Sequence, residues 1–242
     1  MKAKVWGHRG ASGYAPENTL EAFDLSVKQG ADGVELDVHL TRDGELVVTH
    51  DEEISRVSDG AGFVRDYTLR ELKAFRFNKT HPQYADARIP TLREVYELLG
   101  PAGLTVNVEL KNSCYLYPGM EEACIELAAK MGMTGRVLYS SFNHYSVLHV
   151  KEIDPSLPCG LLYSATLYKP WDYARQLQMD ALHPHYSALV FPDACEGAHA
   201  LGIRVHPWTV NREEDMRLCL ARGADAIITN YPDVARRIVD GQ

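Results

Sequence analysis

Two segments of this chain alternate polar and apolar residues so that acidic groups gather on one side. In Val34-Glu35-Leu36-Asp37-Val38-His39-Leu40 every even position is apolar and every odd one polar. A period of two puts Glu35, Asp37 and His39 on one face of a strand and the aliphatic set on the other. Thr105, Asn107, Glu109 and Lys111 repeat the pattern against Leu104, Val106, Val108 and Leu110. At the rise of a strand, Glu35 and Asp37 stand about 7 Å apart. If Glu109 comes from a neighbouring strand, three carboxylates converge, which is costly in an interior unless the charge is neutralised. A divalent cation would offset it, and all-oxygen donors favour Mg²⁺ or Ca²⁺ over zinc. A salt-bridge network drawing on Arg9 or Lys111 is the alternative. His8, in His8-Arg9-Gly10, ends one strand-like run, and His50, followed by Asp51, ends another, Leu46-Val47-Val48-Thr49. An imidazole pair beside three carboxylates supplies a base and an acid near neutral pH.

These residues need elements to position them. Strand-like runs fall near 4–8, 33–40, 104–111, 137–142, 159–163, 181–185, 204–209 and 226–230. Helix-length amphipathic stretches fall near 18–29, 91–99, 119–131, 143–153, 170–178, 192–201, 211–222 and 232–239. Parallel neighbours need a crossover, so this alternation predicts a parallel sheet. Eight such units in 242 residues match the arithmetic of a (β/α)8 TIM barrel; an open doubly wound sheet is the competing fold. Outward faces of barrel strands meet helices, so the apolar set belongs outside and the carboxylates inside. Both histidines then project at the C-terminal mouth, where barrel active sites lie. Thr68-Leu69-Arg70-Glu71 and Thr91-Leu92-Arg93-Glu94 have capping-box spacing, Asn18-x-x-Glu21 offers a cap for the first helix, and Gly30 and Gly223 suit left-handed helix ends. Residues 51–90, after the second strand, exceed a simple loop and read as a small insertion on one barrel domain spanning 1–242. No composition shift marks a second domain.

The motifs also follow one another in a specific order. His8-Arg9-Gly10, Pro16-Glu17-Asn18-Thr19, Glu35-Leu36-Asp37, His50-Asp51, Ile89-Pro90-Thr91-Leu92, Val108-Glu109-Leu110-Lys111, Ser140-Ser141-Phe142, Trp208-Thr209-Val210-Asn211 and Thr229-Asn230-Tyr231-Pro232 resemble the glycerophosphodiester phosphodiesterase signature over nearly the whole chain. The resemblance implies a (β/α)8 phosphoric diester hydrolase that converts small glycerophosphodiesters to sn-glycerol 3-phosphate and an alcohol. It implies that His8 and His50 are the catalytic acid–base pair, and that Glu35, Asp37 and Glu109 hold the divalent metal. Arg9 and Lys111 match phosphate-binding cations, and Trp208 an aromatic near the glycerol. Pro16, Glu17 and Asn18 read mainly as structural. His183 and His185 are expected as pocket lining rather than metal ligands, His206 as an inward residue, Asn107 as a partner of the acid cluster, and Tyr115, Leu116 and Tyr117 as a wall of the alcohol site.

Composition restricts the alternatives. The formal charge of −8 from 25 basic and 33 acidic residues argues against a nucleic-acid partner, which needs a basic face. No apolar run approaches the length of a membrane span. Five cysteines without a C-x-x-C pair suit a reduced, cytoplasmic protein. A lysophospholipase D acting through the same residues, or a non-enzymatic phosphate- or cation-binding barrel, remains as a competing reading. The first would need an apolar groove or membrane-binding patch, and the second predicts loss of a catalytic group, yet all are present.

Overall fold

The alternating segments are strands, and helices cover their apolar faces. The computed structural model describes residues 2–241. Its strands are β1 (Lys4–His8), β2 (Gly33–Leu40), β3 (Leu46–Val48), β4 (Thr105–Leu110), β5 (Val137–Ser141), β6 (Cys159–Tyr163), β7 (Ala181–Pro184), β8 (Arg204–Val205) and β9 (Ala226–Thr229). All but β3 run parallel, in the order β8-β7-β6-β5-β4-β2-β1-β9. Backbone bonds from Asp225 N to Val205 O (2.9 Å), Ile228 N to Pro207 O (3.1 Å) and Val210 N to Ile228 O (2.9 Å) join the two ends, so the sheet closes into the expected (β/α)8 barrel. β8 is shorter than the predicted 204–209 because Pro207 has no N–H to give to the ladder.

The outer layer consists of α1 (Leu20–Lys28), α2 (Leu69–Leu72), α3 (Leu92–Ala102), α4 (Met120–Lys130), α5 (His144–Ile153), α6 (Pro170–Gln176), α7 (Ala194–His199), α8 (Glu213–Ala221) and α9 (Pro232–Asp240). Both capping boxes form, Thr68 with Glu71 and Thr91 with Glu94. α3 outruns its predicted end at residue 99, passing through Pro101 and stopping at left-handed Gly103 (φ +73°). A proline in the last turn interrupts little, because it removes only the one bond its N–H would give to the carbonyl four residues earlier, close to the helix end. Gly30 and Gly223 take the left-handed φ expected at helix ends (+74° and +92°).

Between strands and helices lies the main apolar core, which includes Val34, Leu36, Val38, Val106, Val108 and Leu110, all buried. The aliphatic parity of β2 and β4 therefore faces outward, as predicted. Ile54, Val57, Val64, Leu72, Phe77 and Ile89 of residues 51–90 build a satellite cluster together with Val47 of β3. β3, antiparallel to β2, ties that segment to the barrel and delivers His50.

Low in the barrel, Trp6, Leu138, Ala181, Ala226 and Ile228 form the floor. His183 and His206 are buried there, not on the pocket wall: His206 Nδ1 lies 3.0 Å from His183 Nε2, and the Trp6 ring packs on His206. Position 160 must be glycine, since a Cβ there would come within 2.5 Å of His183 Nε2. Burial holds the His183 imidazole down at about 3. The unfolded chain, with an ordinary histidine, binds more protons below pH 6.5, so stability falls as pH drops from there toward 3. For His183 alone the loss between pH 6.5 and 5 is about 2 kcal/mol. Urea unfolding at the two pH values measures it, and His183→Asn should flatten the dependence; an unchanged pH slope in that variant contradicts the assignment.

Candidate active site

The strand pairing brings the acids together. Asp37 is opposite Glu109, and Glu35 is opposite Asn107. One carboxylate oxygen from each of Glu35, Asp37 and Glu109 lies within 4.8 Å of the others, and all three side chains are buried. Burial, with Asp37 and Glu109 close by, pushes the Glu35 carboxyl well above the usual range. Burial also raises Glu109. For Asp37 burial acts in the same direction but is outweighed by His50, Lys111, Arg9 and Asn18, so its carboxyl stays well below that range.

Arg9 and Lys111 do pair with these acids. Lys111 Nζ is 2.9 Å from Glu109 Oε1 and 3.6 Å from Asp37 Oδ1, and Arg9 Nε is 3.5 Å from Asp37 Oδ2. Arg9 also serves Glu17 through Nη1 at 2.8 Å, so these two cations are shared among three carboxylates, while Glu35 receives only the Arg9 backbone N–H. Asp37 Oδ1 is buried with no hydrogen-bond partner. An oxygen-only donor set with an unpartnered carboxylate oxygen and a surplus of negative charge is compatible with a hard divalent cation.

Each histidine has its own orienting partner. His8 Nδ1 is 2.7 Å from Asn230 Oδ1. An amide oxygen only accepts, so Nδ1 donates and Nε2 keeps its lone pair; that Nε2 lies 3.9 Å from Glu35 Oε2. Burial, assisted by Arg9, lowers the His8 imidazole to about 3. His50 Nδ1 donates to Asp51 Oδ1 at 2.5 Å, and this bond is the largest cause holding the Asp51 carboxyl well below the usual range. His39 shares the face of Glu35 and Asp37 but turns its ring to the Tyr117 hydroxyl and the His50 carbonyl, both 3.2 Å away. It supports the His50 backbone.

His8, Arg9, Glu35, His50, Glu109 and Trp208 line one cavity at the C-terminal mouth, with Asn107 and Phe142 among the others. Asp37 is fully buried behind it and Lys111 stands beside Glu109. Trp208 donates from Nε1 to His183 O at 2.8 Å and meets the Phe142 ring edge-on at 5.5 Å. Asn107 has both side-chain polar atoms unpartnered. Tyr115, Leu116 and Tyr117 are not among the lining residues: Tyr115 stacks under Arg65, Leu116 is exposed, and Tyr117 packs on His39.

Four further residues, Asn18, Glu17, Arg56 and Asn230, acquire roles. Asn18 does not cap α1; Thr19 does, accepting from Ala22 N, while the Asn18 amide donates to Asp37 Oδ2 at 2.8 Å. Glu17 and Arg56 connect the surroundings of Arg9 and His50. Asn230 shares the inward parity of Ala226 and Ile228, a signal that would have singled it out. Arg56 carries no such signal, since it lies in an irregular turn.

A family profile described as the glycerophosphoryl diester phosphodiesterase family matches residues 8–234. The chain belongs to this family. It is 45% identical over 240 residues to a glycerophosphodiester phosphodiesterase of Caldanaerobacter subterraneus subsp. tengcongensis, covering 99% of this chain and 98% of that one. A glycerophosphodiester phosphodiesterase of Bacillus altitudinis is 38% identical over 97% of each chain. Among solved structures, an Oleispira antarctica phosphodiesterase in complex with the product sn-glycerol-3-phosphate superposes with a TM-score of 0.89 at 32% identity, over 99% of this chain and 97% of the other. The enzyme is a phosphoric diester hydrolase on a (β/α)8 barrel, as the ordered motifs imply. No helix among the described residues is long and apolar enough to cross a membrane.

Proposed function

We propose that the enzyme hydrolyses glycerophosphodiesters to sn-glycerol 3-phosphate and an alcohol, in a divalent-dependent reaction with His8 and His50 as general base and general acid. The observation that carries this reading is the meeting of three buried carboxylates with two imidazoles whose ring nitrogens are fixed by different partners. Glu35, Asp37 and Glu109 would hold the cation, Mg²⁺ or Ca²⁺. When bound, it supplies Lewis-acid stabilisation of phosphoryl charge.

The chain's own groups divide the remaining work. Arg9 and Lys111 offset the phosphodiester's negative charge, which otherwise repels a nucleophile. His8 Nε2, whose lone pair meets only the Thr209 hydroxyl at 3.4 Å, exchanges that contact for the proton of the attacking oxygen, whether water or the substrate's own 2-hydroxyl. His50, whose Nδ1–H is fixed on Asp51, gives its Nε2 proton to the departing alkoxide, and the Asp51 carboxylate holds the ring in orientation for that transfer. Trp208 presents a flat apolar face to the glycerol carbons. Asn230→Ala, which frees the His8 tautomer, should lower kcat about tenfold with little change in KM, as loss of an orienting partner does. Steady-state kinetics would show it, and an unchanged kcat would remove Asn230 from this role. The five unpaired cysteines suit a reducing compartment, and we place the enzyme in the cytoplasm, working as one domain over 1–242.

The test is product release from glycerophosphocholine and glycerophosphoethanolamine by protein stripped with EDTA, alone and after adding Mg²⁺ or Ca²⁺, with a lysolipid in parallel. Glycerol 3-phosphate should form only when the cation is restored. Full activity in stripped protein overturns the cation's role. Cleavage of the lysolipid alone overturns the substrate assignment in favour of a lysophospholipase D.

A further inference from the structure

Arg56 sits in a short 3₁₀ turn, Ile54–Arg56, of the segment after His50. Ile54 and Val57 are buried in the satellite cluster, and Ser58 Oγ donates back to Ile54 O at 2.8 Å. The turn is thus anchored from below, while the Arg56 side chain remains 44% exposed and extends toward the mouth. Its guanidinium makes a fork with Glu17, Nη1 to Oε2 at 2.8 Å and Nη2 to Oε1 at 2.7 Å. Nε donates to Asp51 Oδ2. The other oxygen of Asp51 receives the His50 ring proton, and Glu17 Oε1 also receives Arg9 Nη1. One side chain therefore joins two carboxylates, one holding the His50 imidazole and the other the Arg9 guanidinium. Arg9 continues the chain to Asp37.

We propose that Arg56 is a positioning residue of this active site, fixing Asp51 against His50 and Glu17 against Arg9. This rests on the roles given above to His50 and Arg9. Two physical points favour positioning over simple stabilisation. Ion pairs with this much solvent exposure add little to folding stability, and the packing of Ile54 and Val57 already anchors the turn. Geometry, by contrast, governs rate steeply: a misplacement of about 1 Å costs on the order of 100-fold. Only a planar fork reaches Glu17 through two nitrogens and Asp51 through a third. The ammonium of a lysine cannot do this.

The test compares Arg56→Ala and Arg56→Lys with wild type by kinetics, thermal melting and imidazole NMR. We expect kcat for a glycerophosphodiester to fall about 10–100-fold in Arg56→Ala, with Tm nearly unchanged. Arg56→Lys should recover only a minor part of the loss, and added guanidinium ion should restore rate to Arg56→Ala but not to Arg56→Lys. Nitrogen-15 spectra of the His50 ring, which do not depend on turnover, should show Nδ1 protonated and slowly exchanging in wild type and exchange-broadened in Arg56→Ala. Wild-type kcat in Arg56→Ala, full rescue by lysine, or a rate loss that follows a fall in Tm each overturns the proposal. If the wild-type protein cleaves no glycerophosphodiester, the proposed activity fails, and the NMR comparison alone decides Arg56: an unaltered His50 ring overturns it.

Discussion

His8→Ala should lower kcat by ~10²–10⁴-fold, the range that a positioned general base supplies, and leave the barrel folded. The side chain is small, lies at the cavity wall and makes its polar contacts to Asn230 and Thr209. Its removal leaves the Asn230 oxygen facing a cavity that water can enter, so the cost to folding is modest beside the cost to rate. His50→Ala should fall in the same range, but the two variants differ in what rescues them. A substrate whose leaving alcohol is already acidic, such as a nitrophenyl diester, needs no proton on departure. His50→Ala should therefore recover much of its rate on that substrate, while His8→Ala should not. The acidic limb of the wild-type kcat/KM profile should lie well below pH 6.5, because a base held down at about 3 remains unprotonated until the solution is strongly acidic. Rescue of His8→Ala instead of His50→Ala would exchange the two roles.

Legibility in the sequence followed the regularity of the backbone. In β2 and β4 a strict period of two identified Glu35, Asp37 and Glu109 as inward-facing, because a strand leaves only two directions for a side chain. The eight parallel strands of the barrel followed from the helices between them; the ninth, β3, which pairs antiparallel with β2, has no helix before it and did not. What escaped lies where no period operates. Asn18 looks like a helix cap in one dimension, yet its left-handed φ of +56° moves the side chain from α1 to Asp37, and Thr19 caps instead. Arg56 reaches Glu17 from 39 residues away, through a turn fixed by the satellite cluster, and nothing local in the chain announces that contact. His183 and His206 end up in the floor, bonded to each other and packed against Trp6, because their depth depends on strand register, which cannot be read from either segment alone. Tyr115 packs on Arg65 and Phe63 of the segment after His50, and Tyr117 on His39 of β2, both away from the cavity.

Glu35→Gln should abolish activity and at the same time make the metal-free protein more stable. The two effects have one cause. Three carboxylates within 4.8 Å in a buried site repel one another, and Glu35 is the one pushed furthest toward its neutral form by burial, Asp37 and Glu109. Above its unfolded pKa, the charge it is required to carry opposes folding, and this cost grows as pH rises toward the raised folded value. Glutamine has the same shape, carries no charge and can still accept from Arg9 N, as Glu35 Oε2 does at 3.0 Å. Stripped of cations at pH 8, the variant should melt above wild type. On the proposed reading the order reverses when Mg²⁺ or Ca²⁺ is added, because binding to the folded state alone stabilises by about 2.7 kcal/mol at 100 times Kd, and the variant has lost a ligand and most of that gain. Thermal melts with and without the cation, beside calorimetric titration, measure both halves of the cycle. A variant that melts below wild type without cation would mean that Arg9 and Lys111 already neutralise the acid cluster. A variant that gains as much as wild type from the cation would exclude Glu35 from the binding site. The two expected results, higher stability of the variant without cation and loss of the gain with it, would together show that the acids are arranged for a charge the folded chain does not itself supply.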